Sequence, residues 1–544
     1  MILLATALCQ GIAERNFVGT TASEPSFNTG GTNNMCEYDP IRLHANPLVR
    51  ELGKMPEDFQ REDLLDIIER RGITSIRLRY PAHDGRLKEL KIPVLNYHQI
   101  ECILAEGERV DGSNIFKGMI DPASSDLYVV PIYSTAFLDP FSENTLSVFC
   151  RFFDKSGKPA PTACDNILAN SALSLTKSTG IELYAMGEVE FYLMFAPSGL
   201  FPAQPQSLYH EAAPFSKTSA VVDEIMLTIA QITGSVKYCH SEVGNITEIR
   251  SEQPEIDGKR MEQYEVEFLP APIEKAARDI LLAKWVIRCV AMKHGYNASF
   301  APKLDEGDAG SGLHIHLSFF KDGKQQVVDG KGRLTETSRK IIAGLLTLAP
   351  SLTAFGNTVP SAYLRLVAHQ EAPTLVCWGK GNRSALVRVP LGWQNVGNLD
   401  QKANPEQIET FVRDFERQTV EFRVPDGSAD VYLLLAAMCV AAEHGLTMKN
   451  GLQVAQDLYV VGNISKIADQ LESLPQSCFE SAKALEKNRK IFERGAFPKT
   501  AIDFAIKRLL DKKDKNMNLK LSQLSNKDRL LEARKIMYRY MHEM

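Results

Sequence analysis

The sequence predicts an α+β fold: a small N-terminal unit of mixed strands and helix, a large domain in which helices pack on an antiparallel sheet, and a helical C-terminal part. Three observations lead there. Period-2 alternation and 3.6-period amphipathic stretches are interleaved without strict βαβ alternation. The 544 residues are 44% hydrophobic, ample for a large buried core. Beyond Leu452 the chain turns helical and charge-rich.

Composition narrows the function classes. Lys and Arg number 62 against 67 Asp and Glu, a net charge of -5, and the two signs are interspersed. A polybasic nucleic-acid or membrane role is thereby disfavoured. The longest apolar runs, Met1 to Cys9 and Leu433 to Ala442, fall short of the roughly 20 residues a spanning helix needs. Ten cysteines lie scattered from Cys9 to Cys478 without a CxxC pair, which reads as reduced thiols in a cytoplasmic protein. No Lys or Arg precedes the Met1 to Cys9 run, as a secretory leader would require. Residues 1–38, rich in Thr, Ser, Asn and Gly from Gly19 to Asn34, are expected to form a disordered arm, with Met35 an alternative start.

The N-terminal unit is expected over residues 39–155. Its ordered part begins near Glu62, where EDLLDIIERRG reads as an amphipathic helix ending at Gly72. Strands follow at Thr74 to Tyr80, Leu87 to Val94 and Leu127 to Tyr133, with turns at HDGR, EGERVDGSN and FLDPF. The large domain, 156–450, opens with a helix from Asn166 to Thr179 and a β-rich run from Leu183 to Phe195. Helical periodicity recurs at Ala220 to Thr233, Glu274 to His294, Ser338 to Leu348 and Val431 to His444. In the helical region 451–544, the basic run Lys512 to Lys520 reads as a solvated helical face.

The informative pattern is a polar pair spaced by two inside β-type sequence: Glu188 and Glu190, Glu265 and Glu267, His314 and His316, Glu421 and Arg423. Side chains two apart on a strand share a face, so four such strands can line one polar cavity. Crowded carboxylates raise one another's pKa unless cations compensate, and hard divalent ions such as Mg²⁺ or Mn²⁺ suit carboxylate and imidazole donors. Two glycines in Gly310-Ser311-Gly312, just before His314, allow close backbone approach to a ligand. Arg365, Arg383, Arg388 and Arg423 gather downstream, and arginines facing a metal–carboxylate floor suggest a nucleotide phosphate and an acidic substrate. Glu371 carries no motif strength alone.

With these residues in hand the chain resembles the glutamine synthetases, in particular the bacterial and archaeal type I branch. VDGSNIFKG, GEVEF, HSEV followed by EQYEVEF, APK with GSGLHIHLS, YLRLVAHQEAP, GNRSALVRVP and VEFRVPDGSADVYL occur in the family's order between Glu62 and Phe497. The resemblance implies a β-grasp-like N-terminal domain and a curved antiparallel catalytic sheet. It implies that Glu190, Glu242 and Glu265 hold a first metal ion and Glu188, His314 and Glu421 a second, both Mg²⁺ or Mn²⁺. His316, Ser318, Arg383 and Arg388 would surround ATP, while Arg365, Arg423 and the Gly310 backbone would hold glutamate. Glu371 resembles the flap residue that closes the site. Asp111 resembles the aspartate that deprotonates ammonium from a neighbouring subunit, in a large homo-oligomer of stacked rings.

The implied activity is ATP-dependent ligation of ammonia to the side-chain carboxylate of glutamate through an acyl phosphate. A γ-glutamyl ligase using an organic amine, or a non-catalytic structural relative, are the alternatives. This sequence departs from the family at four places. Ala309 replaces an Asn, Pro214-Phe215-Ser216 replaces Tyr-Phe-Asp, with Tyr209 a substitute for the lost tyrosine, NITEIRSEQPEIDGKR is an insertion, and Asp430-Val431-Tyr432 replaces Asn-Pro-Tyr. Tyr459 falls near the tyrosine that type I members can carry nucleotidylated, but its surroundings match poorly and it reads as an ordinary exposed loop residue.

Overall fold

A computed structural model describes residues 39–197, 199–251, 253–367, 372–393, 396–411 and 417–543. The arm expected over residues 1–38 and the loop residue Glu371 lie outside the described residues. From Ile41 onward the chain forms one compact unit. Ordered structure begins before Glu62: the Asn46 side chain accepts from Leu48 N at 2.9 Å and caps a helix over Pro47–Leu52, which buries Leu48 and Val49. Six residues are too few to show a helical period, so only the Asn-Pro start signal was present.

The small sheet is built from β1 (Ser75–Pro81), β2 (Leu87–Pro93), β3 (Glu108–Asp111), β4 (Asp126–Pro131), β5 (Phe137–Leu138) and β6 (Thr145–Phe153). Its order is β2-β1-β6-β4-β3, with β1 and β6 parallel, a β-grasp arrangement. β3 lies where a turn was expected. It is a polar edge strand of four residues, pairing Asp111 with Asp126, and carries no hydrophobic alternation to read.

The large sheet curls into a half-barrel. Its strands are β7 (Glu182–Phe195), β8 (Val236–Ile246), β9 (Arg260–Phe268), β10 (Ala271–Pro272), β11 (Asn297–Ser299), β12 (Leu313–Lys321), β13 (Lys324–Gln325), β14 (Trp378–Lys380), β15 (Val387–Val389) and β16 (Val420–Phe422). The main order is β14-β15-β16-β12-β7-β9-β8. On its convex side Gly187 of β7 lets the helix Ile273–Lys293 approach, since a Cβ there would stand 2.7 Å from Ile280 Cδ1.

The helix Val431–Thr447 is buried along almost its whole length, against Cys164–Thr179 on one side and Glu336–Gly356 on another. Its start explains one departure: Asp430 caps it, accepting from Leu433 N at 3.3 Å. Among the described residues no single helix is long and apolar enough to cross a membrane. The helix expected to stop at Leu348 continues through Pro350 to Gly356, because the turns beyond the proline bury Leu352, Ala354 and Phe355. The basic run Lys512 to Lys520 is not one helical face. Lys512 to Asn516 form a turn between Lys499–Leu510 and Met517–Ser522, with Lys513 and Asn516 at positive φ. Buried Asp514 accepts from Cys478 N at 2.7 Å and Phe479 N at 3.1 Å, capping the helix Cys478–Arg494.

The helices Glu336–Gly356 and Val431–Thr447 cross in close contact at Gly344 and Gly445. A Cβ on Gly445 would come within 2.1 Å of Lys340 O, and one on Gly344 within 2.0 Å of Ala441 O. Neither carbonyl can yield without moving a helix. Gly445→Ala is expected to destabilise the fold by about 1–3 kcal/mol, seen as a lower thermal denaturation midpoint, whereas Gly330→Ala, at an open turn without positive φ, should cost less.

Candidate active site

Strand register brings the paired residues together. β7 and β12 set Glu188 opposite His314, β7 and β9 set Glu190 opposite Glu265, and β8 and β9 set His240 opposite Glu265. β12 and β16 place His316 opposite Glu421, and β15 adds Arg388 opposite the same glutamate. Alternation turns these groups onto one face. A register irregularity in β8 between Ser241 and Asn245 frees Glu242 from the ladder beside that face.

Three overlapping groups of donors result, each with its ligand atoms within 4.8 Å of one another: Glu188, His314 and Glu421; Glu190, Glu265 and His314; His240, Glu242 and Glu265. The set expected around a second ion is thus a single group. The set expected around a first ion, Glu190, Glu242 and Glu265, is split between two groups that share Glu265. His314 Nδ1 lies 2.9 Å from Glu188 and 3.9 Å from both Glu190 and Glu421.

Burial alone would raise Glu188, but the His316 charge and hydrogen bonds from both histidines hold its carboxyl well below the usual range. Glu265 meets His240 Nε2 at 3.1 Å, but burial lowers that imidazole and so disfavours the positive charge that would offset the carboxylate. Burial, then the charges of Glu188, Glu190 and Glu242, push Glu265 well above the usual range. Burial also opposes ionisation of Glu421, yet the charges of His316 and Arg423 lower it. His316 is raised against its burial by Glu188. An acidic floor that disfavours the charge of one of its carboxylates and offers oxygen and imidazole donors fits hard divalent cations.

The glycine loop approaches this floor as closely as backbone can. A Cβ on Gly312 would lie 2.7 Å from His314 Nε2 and 2.8 Å from Arg365 Nη2, so a larger residue would displace both side chains. Gly312 N donates to Glu190 Oε2 at 2.8 Å, and the Gln263 amide donates to Glu190 at 3.1 Å and to Gly310 O at 3.0 Å. Arg365 is buried and fixed by the Val424 carbonyl at 2.9 Å and the Arg423 carbonyl at 3.3 Å. Arg388 meets Glu421 at 2.8 Å, and Arg423 pairs with the other oxygen of the same carboxylate.

A cavity of about 340 Å³ opens over this face, lined by Glu190, Glu242, Gly310, His314, Arg365 and Arg423 among others. Ser318 is buried on β12 with its hydroxyl unpartnered. Arg383 is exposed on the turn between β14 and β15. Asp111 does not join the cavity. It is exposed at the end of β3, caps Gly112–Ile115, and hydrogen bonds from the Ser113 hydroxyl and amide hold it below the usual range. Tyr209 is half-exposed with its ring 5.7 Å from the His240 ring, and Tyr459 packs against Trp378 with ring centroids 4.7 Å apart and tilted by 46°. Gln263 and His240 escaped the sequence reading although the spacing rule covers both. Each stands two residues before a recognised glutamate on its own strand. Gln206, on the cavity wall, had no such signal.

With this geometry established, comparison with known proteins gives one answer. The family model for the glutamine synthetase catalytic domain matches residues 164–518, and that for the glutamine synthetase β-grasp domain matches 72–155. Glutamine synthetase from Pyrococcus horikoshii is 29% identical over 431 residues, covering 77% of this chain and 86% of that protein. The Thermotoga maritima enzyme is 28% identical over 444 residues, covering 79% and 91%. Among solved structures, apo GmaS without ligand superposes with a TM-score of 0.64 at 21% identity, over 86% of this chain and 98% of that one. A cryoEM structure of Plasmodium falciparum glutamine synthetase gives 0.66 at 18% identity, with the same coverage of 86% and 98%. The curled sheet with its acidic floor, joined to the β-grasp unit, makes the chain a member of the glutamine synthetase family of ligases.

Proposed function

We propose that the chain joins ammonia to the side-chain carboxylate of L-glutamate at the expense of ATP. The observation that carries the reading is one cavity lined both by Glu190, Glu242 and His314, each a member of an overlapping Glu/His donor group, and by two buried arginines, Arg365 and Arg423. Glu190, Glu242 and Glu265 would hold one divalent ion and Glu188, His314 and Glu421 the other. When bound, such ions neutralise the charge spread over a transferring phosphoryl group.

The protein groups do the rest. Arg365 and Arg423 orient the acidic substrate, with Gly310 beside them. Arg383, Arg388, His316 and Ser318 hold the triphosphate so that a carboxylate oxygen attacks the γ-phosphorus as its bond to ADP breaks. Phosphoryl transfer of this kind is mostly positioning and electrostatics. The amine nitrogen then attacks the acyl carbon and phosphate leaves. Asp111, ionised and donated by a neighbouring subunit of a homo-oligomer, draws in ammonium and takes its proton, while Glu371 covers the acyl phosphate against water.

A second reading, an organic amine in place of ammonia, is favoured by the amine side of the site alone. The Tyr-Phe-Asp segment is lost, Phe215 is half-exposed, and Tyr209 stacks on His210 at 4.3 Å above His240. Phosphate release measured with glutamate and ATP across ammonia and a panel of amines separates the two. The ammonia reading predicts that ammonia gives the highest kcat/KM, and a clear preference for one organic amine replaces it.

Glu190→Ala and His314→Ala should each lower phosphate release by about 100-fold or more, above the range for losing even an outer-shell partner of a metal. Near wild-type turnover in both variants overturns the metal assignment.

Metal binding should also appear in stability. Glu265 and His316 are both raised in the folded protein, from ordinary values of 4.5 and 6.5, so the metal-free fold loses their contribution as pH rises. Glu188 and Glu421, being lowered, contribute fully throughout neutral pH. The increase in melting temperature on adding Mg²⁺ or Mn²⁺ is therefore expected to grow from about pH 6 to about pH 8. A stabilisation that shrinks over that window contradicts the assignment.

The shared site is tested by dissociating and reassembling Asp111→Ala with Glu421→Ala, each inactive alone. Mixed oligomers should regain part of the activity, since some sites then combine two intact halves. No recovery in verified mixed oligomers removes Asp111 from the chemistry.

A further inference from the structure

We propose that Arg534, on the helix Asn526–Arg539, is a positioning residue: its guanidinium fork on Asp305 sets the loop 303–310, which walls the substrate cavity beside Arg365, and thereby sets the affinity for the acidic substrate. The inference rests on the reading of glutamate as that substrate.

The loop has no regular structure of its own. Residues 303–310 lie in neither helix nor strand, Gly307 stands at φ 86°, and a backbone bond from Ser311 N to Pro302 O at 3.0 Å closes the segment. Yet it supplies Gly307, Asp308, Ala309 and Gly310 to the cavity wall. Clearance there is small, since a Cβ on Gly310 would lie 2.9 Å from Arg365 Cγ. A loop with no ladder to hold it that close takes its position from the side chains that support it.

The C-terminal segment provides that support. Arg534 Nε donates to Asp305 Oδ1 at 3.0 Å and Arg534 Nη2 to Oδ2 at 2.7 Å, the two-pronged geometry that suits a guanidinium to a carboxylate. Oδ1 also accepts from Glu306 N at 2.8 Å, so the same carboxylate fixes the local turn. Only 25% of the Arg534 side chain and 11% of Asp305 are exposed, and water and salt weaken such a pair less than one on the surface. Beside it Arg529 meets Glu306 at 3.0 Å. The chain that carries both arginines is itself fastened. Ser299 Oγ, on β11 just ahead of the loop, donates to Met541 O at 2.9 Å, and Arg86 Nη2, in the turn between β1 and β2, donates to His542 O at 2.7 Å. Arg534 does not line the cavity, so it acts through the loop and not on the ligand. His316 and Arg388, on the nucleotide side, are placed by the ladders of β12, β15 and β16 instead. Loosening the loop should therefore be felt by glutamate and not by ATP.

The test uses the full chain with Mg²⁺ and reads phosphate release against glutamate and, separately, against ATP. Arg534→Gln should raise KM for glutamate by about fivefold or more, with KM for ATP within about twofold of wild type. Arg534→Lys keeps the charge but loses the fork, and should fall between the two. Arg534→Asp should raise it furthest, and adding Asp305→Arg, which reverses the pair, should recover part of the loss. Lys535→Gln, which breaks an exposed pair with Glu532 on the same helix, is expected to leave both values unchanged. An unchanged KM for glutamate in Arg534→Gln overturns the inference, as does a rise in Arg534→Asp that Asp305→Arg does not reduce. Equal rises in both KM values with a lowered melting temperature also overturn it, since they mark a merely structural role. Absence of glutamate-dependent turnover in the wild type instead overturns the substrate reading on which it rests.

Discussion

The constraint on which the rest of the structure depends is the crowding of glutamates on the concave face of the curled sheet. Glu188, Glu190, Glu265 and Glu421 come from three strands, β7, β9 and β16, and Glu242 from the β8 irregularity beside them. Two histidines and two arginines offset part of this charge, and the balance is uneven. Glu188 and Glu421 are stabilised as anions while Glu265 is not. The site is arranged so that added positive charge completes it.

That arrangement needs a rigid frame, because ligand atoms held within 4.8 Å tolerate little drift. Strand pairing fixes the spacing along and across the sheet, and the buried helices behind it prevent the sheet from flattening. Gly187 is where a helix meets the sheet that carries the site, and the Gly344–Gly445 crossing is where two helices of the frame meet: a Cβ would stand 2.7 Å from Ile280 at the first and 2.0–2.1 Å from a helix carbonyl at the second. The glycine loop applies the same economy on the site side, letting Arg365 and His314 close around Gly312.

Glu421 links the two halves of the cavity. It belongs to a donor group with Glu188 and His314, and its two oxygens are held by Arg388 and Arg423. A change in what the arginines bind therefore alters the charge felt by the metal-competent group. Phosphoryl transfer to an acidic substrate, where charge moves between exactly these regions, is the chemistry such a junction suits.

Sequence alone determined the fold class and the paired positions, because a period of two puts Glu188 with Glu190 and His314 with His316 on one face whatever surrounds them. It also held the signal for Gln263 and His240, through the same spacing. Tertiary structure alone decided which pairs face which, since register between strands distant in the chain depends on packing. The sharing of Glu265 and His314 between donor groups is therefore invisible beforehand. It also decided the short or polar elements, Pro47–Leu52, β3 and the Asp514 cap, whose local patterns are weaker than the contacts that hold them. Gln206 is the extreme case. Its chain segment has no periodicity, and its direction follows from a single backbone N–H at Ala309, more than a hundred residues away.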